Sequence, residues 1–148
     1  MANSKFGYVK TFELEEIALA QTYMVVRVDG RGFTKFCESL KMEKPNDLRG
    51  IKLMNRAAQQ VVENFKDIVI AYGDSDEYSF VFNKHANLFN RRKDKILSCV
   101  VSLFSSTYCF YLPKYFEGCD SFDVIPSFDA RIVLYPNLEV VKDYLSWR

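Results

Sequence analysis

Residues 68 to 82, IVIAYGDSDEYSFVF, constrain this chain more than any other stretch. Two β-prone apolar runs flank a short Gly-Asp-Ser turn, which predicts strand, tight turn, strand. The first run is almost uniformly apolar. In the second, Tyr78, Phe80 and Phe82 fall on one face, with Ser79 and Val81 on the other. The turn carries Asp74, Asp76 and Glu77, three carboxylates within four residues. Like charges this close repel unless water solvates them or a cation neutralises them. From these residues alone, a solvated turn and a cation site are both open readings.

A chain of 148 residues is long enough for one domain with a real core, and its net charge of +1 offers no general basic field for nucleic acid. Any such binding must use local patches. No N-terminal apolar segment and no long apolar run stand out, so neither a signal peptide nor a membrane span is expected. Cys37, Cys99, Cys109 and Cys119 have no CxxC spacing and the chain has a single histidine, which argues against zinc and for reduced thiols. Thirteen Phe and nine Tyr imply a thick core, an interface, or both.

Residues 1 to 10 read as a short arm. The first strand runs from Tyr23 to Asp29, with Met24, Val26 and Val28 on one face and Val25, Arg27 and Asp29 on the other, and breaks at Gly30-Arg31-Gly32-Phe33. Two glycines around an arginine suit either an anion cradle or a plain strand-to-helix connection. A short helix is expected over Phe33 to Leu40, then a connection from Lys41 to Pro45. A strong helical pattern follows from about Asn46 to Phe65, with Ile51, Met54, Ala58, Val61 and Phe65 on one face, Leu48, Ala57 and Val62 beside them, and Asn46 or Asp47 as N-cap. A second helix begins near Leu88, buries Ile96, Val100, Leu103, Phe104 and Thr107, and is expected to end by Pro113. Arg91, Arg92, Lys93 and Lys95 crowd its start, where cations oppose the helix dipole. A bound anion and a solvated surface with Asp94 as partial compensation are equally open. Residues 113 to 127 read as a loop, Phe128 to Tyr135 as the last strand, and Leu138, Val141, Tyr144 and Leu145 as a final helix. The large aromatic Trp147 beside the terminus suggests that further chain belongs here.

The order strand, helix, strand, strand, helix, strand is the ferredoxin-like βαββαβ arrangement, an α+β fold whose antiparallel sheet carries two helices on one face. Tracing strand directions puts the end of the first strand and the tip of the hairpin at the same end of the sheet. Since the first and third strands are neighbours in this fold, Asp29 should lie beside Asp76, with Glu77 nearby. Two such carboxylates make a hard oxygen site of the kind Mg²⁺ favours. A pair of ions there would serve phosphoryl chemistry on a polymerase-type palm. Lys44, Asp47 and the Gly30 to Phe33 loop fall at the same end. Arg91, Arg92 and Lys95 fall at the opposite end, where they could bind a second phosphate, contact RNA, or reach a neighbouring subunit.

Along its whole length the sequence resembles the tRNA-His guanylyltransferase family of the eukaryotic type. The matching segments are MANSKF at residues 1–6, VRVDGR at 26–31, KPND at 44–47, GDSDEYSF at 73–80, FNRRK at 89–93 and KDYLSWR at 142–148. The resemblance implies a palm enzyme that adds guanosine to the 5′ end of tRNA-His, by ATP-dependent adenylylation of the 5′ phosphate and then attack of the GTP 3′-hydroxyl. It implies two Mg²⁺ ions on Asp29, Asp76 and the Gly30 carbonyl, with Glu77 as a supporting catalytic carboxylate. Nucleotide would be held by Asp29, Gly30, Arg31, Gly32, Phe33 and Thr34, with Lys44, Asp47, Ser75, Asp76, Arg92 and Lys95. A homotetramer is implied, and no membrane partner. The compartment expected is cytoplasm or nucleus, with mitochondria left open. Thr34 stands where family members often carry His. The family also continues beyond Arg148 into a His- and Asn-rich motif, so this chain reads as one catalytic palm domain over residues 1–148 without the C-terminal region, better suited to metal and nucleotide binding than to full guanylylation. The alternatives are another palm-fold nucleotidyltransferase, such as a cyclase or a 5′-end RNA repair enzyme, and a non-catalytic assembly or RNA-binding module.

Overall fold

Met24, Val26 and Val28 are completely buried on one side of the first strand, β1 (Tyr23–Arg31), and Val25 is completely buried on the other. A strand apolar on both sides belongs in the middle of a sheet covered on both faces. That is where the structure, a computed structural model that describes residues 4–117 and 124–148, puts it. After β1 come α1 (Phe33–Ser39), α2 (Leu48–Asn64), β2 (Ile68–Asp74), β3 (Glu77–Phe82), α3 (Lys93–Tyr115), β4 (Ser127–Tyr135) and α4 (Leu138–Trp147). Short 3-10 turns cover Gly7–Phe12 and Leu88–Arg91. The sheet order is β2-β3-β1-β4 and every pairing is antiparallel, as the ferredoxin-like expectation requires.

The two faces differ. On one, α2 and α3 seal the main core, where Phe33, Phe104, Tyr108 and Phe128 pack ring against ring at centroid distances of 5.0 to 5.7 Å. On the other, α4 lays Val141 and Tyr144 over Val25 and Val81. Two helix starts are set by side-chain caps: Asp47 caps α2 by accepting from the Arg49 amide at 2.8 Å, and Asn137 caps α4 by accepting from the Val140 amide at 2.9 Å.

Several boundaries differ from expectation for physical reasons. β1 runs on through Gly30 to Arg31 because β4 pairs with it there, Gly30 opposite Phe128 and Arg31 opposite Ser127. In α2, Leu53 joins the buried face, whereas Leu48 and Ile51 are exposed; Ile51 lines a cleft described below. α3 continues to Tyr115 with Pro113 inside it, since a proline in the last turn forfeits one hydrogen bond without blocking the turns before it. At 23 residues, with an apolar 18-residue stretch inside it, α3 is long and apolar enough to cross a membrane by length and composition, contrary to the expectation of no such run. Here its Ile96, Val100, Phe104, Tyr108 and Leu112 face the sheet as the core helix of a layered fold. Part of the 113–127 loop and the first residues of the MANSKF segment lie outside the described residues, as does Cys119. The three other cysteines are free thiols.

The basic run at the start of α3 finds partners within the chain. Three successive residues, Phe89, Asn90 and Arg91, take left-handed conformations with φ of 49°, 55° and 59°. This turns the Arg91 side chain inward, where it donates to the carbonyls of Ala18, Leu19, Thr22 and Ala86 at 2.7 to 3.2 Å. Arg92 pairs with Glu15 at 2.7 Å, Lys93 with Glu16, and the Lys95 ammonium sits 5.1 Å from the centre of the Phe89 ring. Carboxylates from the segment before β1 compensate part of the cluster. Replacing Arg91 by Met strands several buried carbonyls at once. We expect it to lower unfolding free energy by about 3 kcal/mol, read as a fall in urea midpoint with an unchanged m-value.

Candidate active site

The register of β1 against β3 sets Asp29 directly opposite Glu77, while β4 sets Asp129 opposite Asp29 on the other side. Asp76 follows in the β2–β3 turn, one residue before Glu77. The turn is closed by Ser75 and Asp76, with Ser75 in the left-handed region at φ 54°. The Gly30 amide donates to the Asp76 carbonyl at 3.1 Å, which fastens the turn to the end of β1. Antiparallel pairing alone thus gathers Asp29, Asp76, Glu77 and Asp129 at one end of the sheet.

The electrostatic consequence is visible at Asp29. Burial, and then the charges of Asp76, Glu77 and Asp129, push its carboxyl above the ordinary value, with only a weak opposing pull from Arg27. Glu77 is relieved differently. It is 7% exposed, and Arg148 from the end of α4 grips both its oxygens, Nε on Oε1 at 2.6 Å and Nη2 on Oε2. Of the other carboxylates at the tip, Asp74 and Asp129 are exposed to water, Asp129 with Arg131 loosely at 3.8 Å, whereas Asp29 and Asp76 are partly buried with no ion-pair partner among the described residues.

Gly30 is essential to this closeness. A Cβ there would meet the Phe33 ring at 2.4 Å and Asp76 Oδ2 at 2.9 Å, and Phe33 is locked into the aromatic core. Gly32, at φ 62°, begins α1 in the left-handed conformation that glycine adopts without strain.

Beside the tip, on the α2–α3 side, lies a cleft of about 860 Å³. Of the sequence-predicted residues, Phe33, Thr34, Lys44, Asp47, Ser75 and Asp76 line it. Lys44 is exposed and only loosely associated with Glu38, at 3.9 Å, so its charge is available to a ligand. Asp47 is largely committed: besides capping α2 it accepts from the Glu43 amide at 3.0 Å and from the Arg49 side chain at 2.7 and 3.0 Å. Those bonds, Arg49 foremost, hold its carboxyl well below the usual carboxylate range. Asp29, Gly30 and Arg31 stand at the sheet end outside the cleft lining, and Gly32 begins α1 next to it. Arg92 and Lys95 do not line the cleft; they lie at the start of α3, where Arg92 bridges to Ile17 and Lys95 sits over the Phe89 ring.

Sequence reasoning missed Asp129, Asn55, Tyr78, Tyr108 and Arg148. Asn55 accepts from the Tyr78 hydroxyl at 3.0 Å across the cleft wall. The Tyr108 ring forms part of the lining, and its buried hydroxyl has no hydrogen-bond partner among the described residues. Only Asn55 left a trace in the sequence, as a polar residue between Met54 and Arg56 at the margin of the apolar face of α2.

With the geometry in hand, comparison with known proteins is decisive. The family model described as tRNAHis guanylyltransferase matches residues 6–136. The chain belongs to the tRNAHis guanylyltransferase family. It is similar, at 53% identity over all of its residues, to the tRNA(His) guanylyltransferase of Schizosaccharomyces pombe, of which it covers 56%. It is 51% identical to the probable tRNA(His) guanylyltransferase of Homo sapiens, of which it covers 49%. The crystal structure of tRNA(His) guanylyltransferase from Saccharomyces cerevisiae superposes with a TM-score of 0.92 at 47% identity, over 97% of this chain and 63% of that one. A bacterial tRNA(His) guanylyltransferase-like protein in complex with GTP shares the palm fold, at a TM-score of 0.80 and 20% identity over 95% of this chain and 65% of that one. The chain spans about half the length of the curated relatives it matches.

Membership of a nucleotidyltransferase family points to dependence on a divalent metal. The donor set at the tip fits such an ion. Among the described residues no group of three or more His, Cys, Asp and Glu side chains is arranged for a metal, but Mg²⁺ asks for only one or two carboxylates alongside substrate phosphates. Two crowded carboxylates beside an open cleft, one with a raised pKa, meet that need.

Two tests follow. Gly30→Ala should abolish nucleotide and metal binding and lower the melting temperature, since neither the Phe33 ring nor the turn can give way. Asp29→Asn should do the opposite to stability. A carboxyl whose folded pKa is raised costs stability once ionised, and that cost vanishes as pH falls below the ordinary value of about 3.9. In metal-free buffer the variant should melt above wild type at neutral pH, and the two should converge in acid.

Proposed function

We propose that this chain is the nucleotide- and metal-binding palm of a tRNA-His guanylyltransferase, which adds guanosine to the 5′ end of tRNA-His. The observation that carries the reading is the crowding of Asp29 and Asp76, near enough that the Asp76 charge helps to raise the Asp29 carboxyl, beside a cleft lined by Lys44, Ser75 and Asp76. The residues proposed to hold metal and nucleotide lie in the palm, and the chain spans about half the length of the curated relatives.

In the proposed reaction the tRNA 5′ phosphate attacks the α-phosphate of ATP and releases pyrophosphate. The GTP 3′-hydroxyl then attacks the activated 5′ phosphate and releases AMP, and the new 5′ triphosphate afterwards loses pyrophosphate. Asp29, Asp76 and the Gly30 carbonyl are the groups proposed to hold two Mg²⁺ ions. Bound there, the ions would lower the pKa of an attacking hydroxyl and neutralise charge on the leaving phosphate. The chain's own part is to position. Lys44 offers its ammonium to a triphosphate, Ser75 sets the turn beside it, and Phe33 and Thr34 form the floor and rim against which a nucleotide rests. Glu77, held by Arg148, supports the tip rather than reaching the substrate. Arg92 and Lys95, remote from Asp29 within one chain, would serve a neighbouring subunit of a homotetramer.

The test is equilibrium binding of labelled GTP to this chain with and without Mg²⁺. Wild type should bind in a Mg²⁺-dependent manner, and Asp29→Ala and Asp76→Ala should each weaken binding at least about 100-fold, the upper range for loss of groups that support a metal site. Unchanged Mg²⁺-dependent binding by both variants would refute the reading. With tRNA-His carrying a 5′ monophosphate, the chain extended beyond Arg148 should incorporate label from GTP in the presence of ATP; equal labelling of unrelated 5′-phosphorylated RNAs would remove tRNA-His from the proposal.

A further inference from the structure

α4 and β3 are matched like two sides of a zipper. Val141, Tyr144 and Arg148 recur at helical spacing on one face of α4 and its end, and Val81, Ser79 and Glu77 recur at every second residue of β3. One helical turn of about 5.4 Å runs nearly level with two strand residues of about 6.8 Å, so the two series stay in step over this length. Val141 packs against Val81, the Tyr144 and Ser79 hydroxyls share a 2.6 Å hydrogen bond, and Arg148 grips Glu77 with two nitrogens. The last contact is at the carboxylate tip, where Glu77 faces Asp29 across the sheet.

From this we infer that Arg148 is a positioning residue for the metal site: by occupying both oxygens of Glu77 it withholds that carboxylate from the cation and leaves a site of two carboxylates, Asp29 and Asp76. The inference rests on the reading of those two as metal ligands. Three free carboxylates at the tip would bind a bare divalent ion more tightly and leave fewer coordination positions for substrate phosphates, which Mg²⁺ sites of this chemistry need. A bidentate guanidinium is suited to the task, because its planar fork satisfies both carboxylate oxygens at once and it stays charged at every working pH.

The test is Mn²⁺ binding to the nucleotide-free chain, followed by electron paramagnetic resonance of the free ion. Arg148→Met should tighten Mn²⁺ binding roughly tenfold through the liberated third charge. Adding Glu77→Gln to that variant restores the net charge and should return the affinity to the wild-type value, whereas Glu77→Gln alone leaves the Arg148 charge unpaired and should weaken binding by a similar factor. Arg148→Lys, which keeps the charge but loses the fork, should fall between wild type and Arg148→Met, and it carries the test should Arg148→Met not fold. A merely structural bond would lower the melting temperature of these variants and leave Mn²⁺ affinity unmoved; that outcome, or a gain that Glu77→Gln fails to reverse, overturns the inference. Loss of Mn²⁺ binding in Asp29→Ala and Asp76→Ala checks the underlying site separately: if both bind like wild type, the metal reading itself is what has failed.

Discussion

Repulsion among carboxylates at one end of a β-sheet is the constraint on which the rest of this structure depends. Antiparallel register brings Asp29 level with Glu77 on one side and Asp129 on the other, and the turn adds Asp76. Left alone, such a cluster would push the strand ends apart. The fold resists by rigidity beneath it and by selective neutralisation within it. Phe33, Tyr108 and Phe128 pack directly under the tip, so the strand ends cannot splay without opening the aromatic core. The Gly30 amide ties the turn down, and the missing Cβ at Gly30 lets Asp76 approach. Glu77 is answered by Arg148. Asp74 and Asp129 are exposed to water, and what remains partly buried is the negative charge of Asp29 and Asp76, beside a cleft of about 860 Å³.

The same logic orders the far end of the molecule, with the signs reversed. Arg91, Arg92 and Lys93 gather where α3 begins, and each has a dedicated partner: backbone carbonyls, Glu15 and Glu16 respectively. These contacts bind the segment before β1 to the start of α3 and so fix where β1 begins. Since β1 is the central strand and ends at Asp29, a charge network at one end of the sheet sets the height of the carboxylates at the other.

Much of this was legible in the sequence. Alternation in Tyr23–Asp29 and Tyr78–Phe82 identified the two central strands, and element order with strand direction was enough to bring Asp29 to Asp76. The family resemblance, carried by motifs spread along the chain, held when compared with known proteins. What the sequence hid were pairings between residues distant in the chain that follow no period. Nothing near Glu77 announces Arg148, 71 residues away. Nothing near Asp29 announces Asp129, because the register of β4 depends on where α3 delivers it. The partners of the basic run at 91–95 were hidden for a related reason. A dipole argument treats the helix start as isolated, whereas three left-handed residues aim Arg91 into the interior and a preceding segment supplies Glu15 and Glu16. Periodicity also overstated the buried face of α2 at Ile51, which lines the cleft rather than the core.

The most direct test of the central claim is a crystal structure of this chain grown with Mn²⁺ and GTP, with the ion located by anomalous scattering. The account predicts anomalous density between the Asp29 and Asp76 carboxylates next to Gly30, with the triphosphate entering from the side of Lys44 and Ser75 and Glu77 still held by Arg148. Density centred on Glu77 or Asp129, or a triphosphate bound with no ion at Asp29 and Asp76, would contradict it.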